Sequence, residues 1–270
     1  MFQSKTGLSL VEIWCKIVYR FAAHIVVISP GMKDYLIERS VPPNKISIIY
    51  NWTHDLHNSG QNIIPTMKAL FEDDRMFRIL YAGNIGKAQS LEIVIDVAKR
   101  IQDIKNIQFI LIGNGVEKNR IMSLAKDNGL QNVLFHESVP LDSIAYAMEH
   151  SNVLFVHLKS EPLFEITIPS KIQAYLSMGV PILAAVGKDA ANLILAAKAG
   201  YSCHPDDVEE LTRKVIDFYH LPKSRLQEMG QAGQDYYRKN MSFEIGLTNF
   251  ISIFESAKKK DRHDNKTCSC

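Results

Sequence analysis

Three stretches of this chain combine residue types and spacings suited to a phosphorylated ligand. Tyr81-Ala82-Gly83-Asn84-Ile85-Gly86-Lys87-Ala88-Gln89-Ser90 sets Gly83 and Gly86 between a β-rich run and a helical pattern. Glycines there let backbone N–H groups approach an anion at a helix N-terminus, although a glycine pair after a strand is also ordinary turn chemistry. Ile112-Gly113-Asn114-Gly115 repeats the arrangement at the next strand end, and the pair of loops fits a diphosphate. The third stretch runs from Pro169-Ser170-Lys171 to Gly179-Val180-Pro181. It reads as a helix with Ser170 as N-cap and Lys171 in the first turn, closed sharply by Gly179 and Pro181. The helix dipole disfavours a cation there by about 0.3–1 kcal/mol, so Lys171 is best explained by an anion that it neutralises. The alternative is a solvated lysine on an exposed turn.

Glu161 and Glu165 precede that helix, and a carboxylate accepts sugar hydroxyls well; a solvated loop is the other reading. His136, His157 and His204 lie near strand ends without Cys or carboxylate partners at ligand spacing, so no metal site is expected. Neither a Walker loop nor a Ser-His-Asp order occurs. Lys and Arg (31) nearly balance Asp and Glu (29), giving a net charge of +2, so anion recognition has to be local and nucleic acid is not an expected partner. The 4 cysteines lack CxxC spacing, which fits a reducing, cytoplasmic setting.

The elements that must position these loops alternate. Strands are expected at Arg78–Ala82, Gln108–Ile112, Val133–Phe135, Val153–Val156, Pro181–Ala184 and Tyr201–Cys203. Helices are expected at Leu91–Gln102, Glu117–Asn128, Asp142–Glu149, Ser170–Met178 and Ala190–Ala197. Strand and helix in turn predict a Rossmann-like, doubly wound α/β domain whose loops converge outside the carboxyl ends of the strands. Tyr175 and Met178 read as packing residues.

The first part differs: a helix to about Phe21, a strand His24–Ile28, a helix Gly31–Arg39, a strand Ile46–Tyr50, and a polar stretch Asn51–Asn62. So few elements cannot cover a sheet on both faces, and the expectation is the end fragment of another α/β domain. Along the stretch from Leu8 to Ile28, Glu12, Lys16, Arg20 and His24 recur at every fourth position, marking one wet face of a helix. The helix could pack on a partner domain or lie on a membrane surface with Trp14 and Tyr19 at the interface. Three helical patterns close the chain, Val208–Tyr219, Lys223–Asn240 and Phe243–Lys258. The expected division is residues 1–62, 63–259, and a disordered basic tail over 260–270.

The run from Ile25 to Leu36 with Pro43–Thr53, the strand and loop Phe77–Gly83, Ile112–Gly115, and Pro169-Ser170-Lys171 through Ile182 together resemble family 4 (group 1) GT-B glycosyltransferases. The likeness is to bacterial enzymes of the capsule, colanic acid and O-antigen type, and it extends to about Phe254. It implies an N-terminally truncated, retaining, metal-independent enzyme that needs no cofactor beyond a UDP-sugar donor, with the sugar an amino or deoxy sugar in some relatives. The acceptor would be polyprenyl-diphosphate-linked or a glycan, and its binding domain would be supplied upstream or by a separate polypeptide. The implied donor contacts are Gly83, Asn84, Gly86, Gln89, Gly113, Gly115, Ser170 and Lys171, with Val139 and Pro140 presenting backbone to the nucleobase. Lys171 and Glu165 are the implied catalytic pair. Asn84 stands where an Arg or Asn is common, but the pattern departs from the family at Gln89, where a Lys is common, and at Gln173 and Ala174, where carboxylates are common. The implied setting is cytoplasmic, at the inner face of the cell membrane. A non-catalytic nucleotide-sugar-binding subunit is the rival reading.

Overall fold

The structure, a computed structural model, describes residues 5–53 and 63–267, with backbone alone for 5–10 and 259–267. The larger of two units spans Trp52–Ser242. It is built on strands β3 (Phe77–Ala82), β4 (Ile107–Ile112), β5 (Val133–His136), β6 (Val153–His157), β7 (Ile182–Ala185) and β8 (Gly200–Cys203). All pairs are parallel, in the order β5-β4-β3-β6-β7-β8. The helices between them are α4 (Glu92–Arg100), α5 (Lys118–Asp127), α6 (Leu141–Glu149), α7 (Pro162–Glu165), α8 (Ser170–Met178) and α9 (Lys188–Ala196), and α3 (Pro65–Leu70) precedes β3. β3 is buried at every position and β6 likewise, as parallel strands covered on both faces must be. The doubly wound α/β expectation holds, with each long element within about two residues of its sequence boundaries.

The strand order locates the crevice. From β3 the chain winds outward to β4 and β5, then returns across the sheet to β6 on the other side of β3. The connections after β3 and β6 therefore diverge, and ligands of such sheets bind at this switch point. The two most informative loops of the sequence, Gly83–Ser90 and the stretch leading to Lys171, are those two connections.

Two further helices, α10 (Val208–His220) and α11 (Lys223–Asn240), complete the unit. α10 starts where Asp207 accepts the Glu210 N–H at 2.8 Å. α11 lies so close to the end of α8 that a Cβ on Gly230 would stand 1.9 Å from Gly179 O. Gly179 itself adopts the left-handed conformation, φ 69°, that ends α8.

The smaller unit joins the chain up to Asn51 to the segment from Phe243. It contains α1 (Lys5–Phe21), β1 (Ile25–Val27), α2 (Pro30–Glu38), a 3-10 turn (Pro43–Lys45), β2 (Ile46–Ile48) and α12 (Phe243–Thr267). Ser29 starts α2 by accepting the Met32 N–H at 3.2 Å, with Pro30 in the first turn. β1 and β2 pair in parallel over a core of Val27, Leu36, Val41 and Ile46. α1 leaves Val11, Ile13, Trp14, Ile17, Val18 and Phe21 exposed, so its solvent face includes a broad apolar arc beside Lys16 and Arg20. Among the described residues no helix is long and apolar enough to cross a membrane.

Three sequence expectations are corrected. The division at 62/63 and 259/260 gives way to one at 51/52 and 242/243, because α12 groups with the first unit. The tail expected to be disordered from 260 continues α12 to Thr267, because a helix already nucleated upstream gains a backbone hydrogen bond with each residue added; 268–270 lie outside the described residues, as do 54–62 of the polar stretch. Ser170 is the first residue of α8 and not its cap: Pro169 holds the cap position with φ −60° and ψ 137°, and no side chain caps the helix.

Candidate functional site

Lys171 is the second residue of α8, at the far end of the connection that leaves β6. Its side chain turns toward β3. A Cβ on Gly83 would lie 2.6 Å from Lys171 Cε and 2.7 Å from Nζ, so the glycine makes the room that the lysine occupies. Lys171 Nζ also stands 4.9 Å from the centre of the Tyr81 ring, a cation–π contact. Burial pushes the ammonium pKa below its ordinary value. Among the described residues no carboxylate lies within ion-pair distance of it. A half-buried cation at a switch point, at a helix N-terminus and with no carboxylate partner among the described residues, has the chemistry to suit an anion.

Fully buried tyrosines support this arrangement. The Tyr81 hydroxyl donates to Asn84 O and ties the start of the β3–α4 loop to its strand. The Tyr175 hydroxyl, from the middle of α8, accepts the Ala82 N–H at 3.2 Å and locks α8 to the end of β3. Burial raises the pKa of both phenols, so they remain neutral hydrogen-bonding groups. Tyr175 thus fulfils its expected packing role and adds a polar one.

The loop glycines divide by what they touch. A Cβ on Gly113 (φ 146°) would lie 1.9 Å from Gly83 O, and one on Gly115 (φ 157°) 2.2 Å from Ile85 O. These two glycines let the β4–α5 loop pack on the β3–α4 loop, which the Ile85 N–H donating to Asn114 O at 2.8 Å then fastens. Gly83 alone of the three faces the Lys171 side chain. At Gly86 a Cβ would meet the side chains of Asn84 and Gln89. Gln89 Oε1 accepts from Asn84 Nδ2 at 3.0 Å and from the Gly86 N–H at 3.2 Å, so the amides of Asn84 and the atypical Gln89 close the loop on itself. Lys87 is exposed.

Glu165 ends α7, and its Oε2 accepts the Lys188 N–H at 3.0 Å, capping α9. Glu161 pairs with Lys159 at 2.5 Å. Val139 is half-buried and exposed Pro140 precedes α6, both on the β5–α6 loop. That loop is braced by a residue the sequence did not single out. Lys118, only 6 % exposed, donates to Asn114 Oδ1 at 3.1 Å, His136 O at 3.3 Å and Glu137 Oε1 at 2.7 Å. Its hydrogen bond holds the Glu137 carboxyl below the usual range. His157, at the end of β6, is buried between backbone carbonyls. Only their burial distinguishes Lys118 and His157 from surface polar residues, and burial is a tertiary property.

Known proteins share this architecture. The chain is 25 % identical over 246 residues to the Escherichia coli (strain K12) protein named "Putative colanic acid biosynthesis glycosyl transferase WcaI", covering 85 % of this chain and 56 % of that protein. It is 20 % identical over 247 residues to an uncharacterized glycosyltransferase of Methanocaldococcus jannaschii, covering 89 % and 60 %. The chain thus spans a little over half the length of these curated relatives. Among solved structures, a glycosyltransferase from Rickettsia africae ESF-5 superposes with TM-score 0.72 at 16 % identity, over 87 % of this chain and 64 % of that one. Anabaena HepE in complex with UDP-glucose superposes with TM-score 0.72 at 16 % identity, over 95 % and 68 %. The fold is the GT-B α/β type, with one complete doubly wound unit and a smaller two-stranded one. The profile described as Glycosyl transferases group 1 matches residues 64–236, and the chain belongs to that family.

Proposed function

We propose that this chain is the donor-binding part of a retaining, hexosyl-type glycosyltransferase. It would move a sugar from a UDP-sugar to a lipid-linked or glycan acceptor in surface polysaccharide synthesis. The observation that carries this reading is Lys171, half-buried against Gly83 at the switch point with no carboxylate partner among the described residues. As the glycosidic bond breaks, negative charge grows on the departing UDP diphosphate, and a preorganised ammonium in a half-buried site stabilises it. Gly83, Asn84 and the end of the β3–α4 loop would line the diphosphate, and Val139 and Pro140 the base. HepE, a relative in fold, is described in complex with UDP-glucose, which favours a uridine donor. The donor is a substrate, and no further cofactor or metal is invoked.

Transfer also requires an acceptor held in line with the donor, and the two-stranded smaller unit offers little sheet to do so. The exposed apolar arc of α1 fits an α/β partner segment that extends that unit. The same arc beside Lys16 and Arg20 also suits the inner membrane surface, and the setting proposed is cytoplasmic and peripheral. A second reading, a nucleotide-sugar-binding subunit without catalysis, is favoured by the small two-stranded sheet on the acceptor side.

The experiment is an assay of UDP release with UDP-sugars and polyprenyl-diphosphate acceptors, with and without an acceptor-side α/β domain from a relative. Turnover only with that domain is expected. UDP-sugar binding without turnover in both arms contradicts the enzyme and supports the second reading. Vesicle co-sedimentation that persists when the domain is present assigns the α1 arc to the membrane.

A further inference from the structure

His157 closes β6 directly behind the proposed donor loop and is 2 % exposed. Its Nδ1 lies 2.6 Å from Gln89 O and its Nε2 2.9 Å from Pro205 O. Both partners are backbone carbonyls, which only accept. A neutral imidazole carries one N–H, so either tautomer would set a nitrogen lone pair against a carbonyl oxygen at hydrogen-bond distance in a buried place. The shorter contact, 2.6 Å to Gln89 O, places the proton on Nδ1, which donates to that carbonyl.

The bond to Gln89 fixes a peptide plane. In a trans peptide the C=O and the following N–H point in opposite directions, so drawing Gln89 O inward to His157 turns the Ser90 N–H outward. Among the described residues that N–H meets no acceptor. Ser90 also holds φ 43°, a left-handed conformation that a residue with a side chain adopts at a cost. The neighbouring Lys159 N–H donating to Ala88 O at 3.0 Å fastens the same stretch to the end of β6. The peptide is thus held in a strained orientation by a buried ring, with its N–H unused, two residues before α4 begins.

We propose that His157 is a positioning residue: by donating from Nδ1 to Gln89 O, it holds the Gln89–Ser90 peptide so that the Ser90 N–H donates to the anionic group of the donor. The proposal rests on the donor site described above. Catalysis itself does not pass through His157, which acts by orienting a backbone donor.

The test is nuclear magnetic resonance on the full chain at neutral pH, titrated with UDP. A protonated His157 Nδ1 and a UDP-dependent shift of the Ser90 amide are expected. In His157→Phe that amide shift should vanish and UDP affinity should fall about 10-fold, while His157→Gln, which keeps an N–H donor, should recover part of both. An Nδ1 without a proton, or a Ser90 amide that responds equally in His157→Phe, overturns the proposal even if UDP binds. Should His157→Phe fail to fold, the ring-nitrogen spectrum and the Ser90 response of the unmodified chain decide it. Absence of UDP binding by the unmodified chain contradicts the donor site, and the positioning role with it.

Discussion

Lys171 occupies the space that a side chain on Gly83 would fill: a Cβ there would lie 2.6 Å from its Cε and 2.7 Å from its Nζ. The far end of a flexible side chain can move where backbone cannot. Gly83→Ala should therefore displace the ammonium while leaving the sheet intact, adding backbone strain of about 1–2 kcal/mol at φ 136°. The expected result is a folded protein, by circular dichroism, whose UDP affinity falls about 10-fold. Unchanged affinity would mean that the ammonium does not face the ligand.

Gly113→Ala should behave differently. Its Cβ would lie 1.9 Å from the Gly83 carbonyl oxygen, a backbone atom, at φ 146°. The loss should appear in stability, about 2–4 kcal/mol from overpacking and strain, and be measurable by urea unfolding without ligand. A variant as stable as the parent would show that the two loops do not interlock as described.

Burial lowers the Lys171 pKa, and that direction fixes two pH dependences. Between the lowered folded value and the unfolded value of 10.5, the unfolded chain binds more protons, so this residue makes stability rise with pH in that window. A bound diphosphate favours the charged form, so UDP affinity should fall as pH rises through the folded value. Calorimetry across that range should show the alkaline decline in the parent and not in Lys171→Ala. A decline shared by both would assign it to another group.

Glu165 offers a separation of roles, because its carboxylate already caps α9 through the Lys188 N–H. Glu165→Ala should cost about 0.5–2 kcal/mol of stability, the range for a lost cap, measured by thermal unfolding. If the carboxylate also meets the donor sugar, UDP-sugar affinity should fall while UDP affinity stays unchanged. Equal change in both would leave Glu165 as a cap alone.

Much of the larger unit was legible because its signals are local. The apolar run Phe77–Ala82, the pair Pro169 and Gly179 around α8, and the alternation after Phe77 each follow from neighbours in sequence. Lys171 was legible as an anomaly, a cation where a helix dipole disfavours one. What the sequence hid depends on contacts between distant residues. Gly83, Gly113 and Gly115 look alike in sequence, and only the packing of one loop on another separates the glycine facing Lys171 from those facing backbone. Tyr175 bonding Ala82, Lys118 bonding Glu137 and His157 bonding Gln89 join positions far apart in the chain. The grouping of α12 with the first unit is equally non-local.

If Lys171 receives the diphosphate of a uridine nucleotide, its ammonium must contribute to the affinity for UDP. Isothermal titration of UDP into the unmodified chain and into Lys171→Ala, each checked for an unchanged melting transition, tests it most directly. Binding by the parent, weakened by about 1.5–3 kcal/mol in the variant, is the predicted result for the loss of a charge-assisted hydrogen bond. Equal affinity in the two folded proteins would contradict the account.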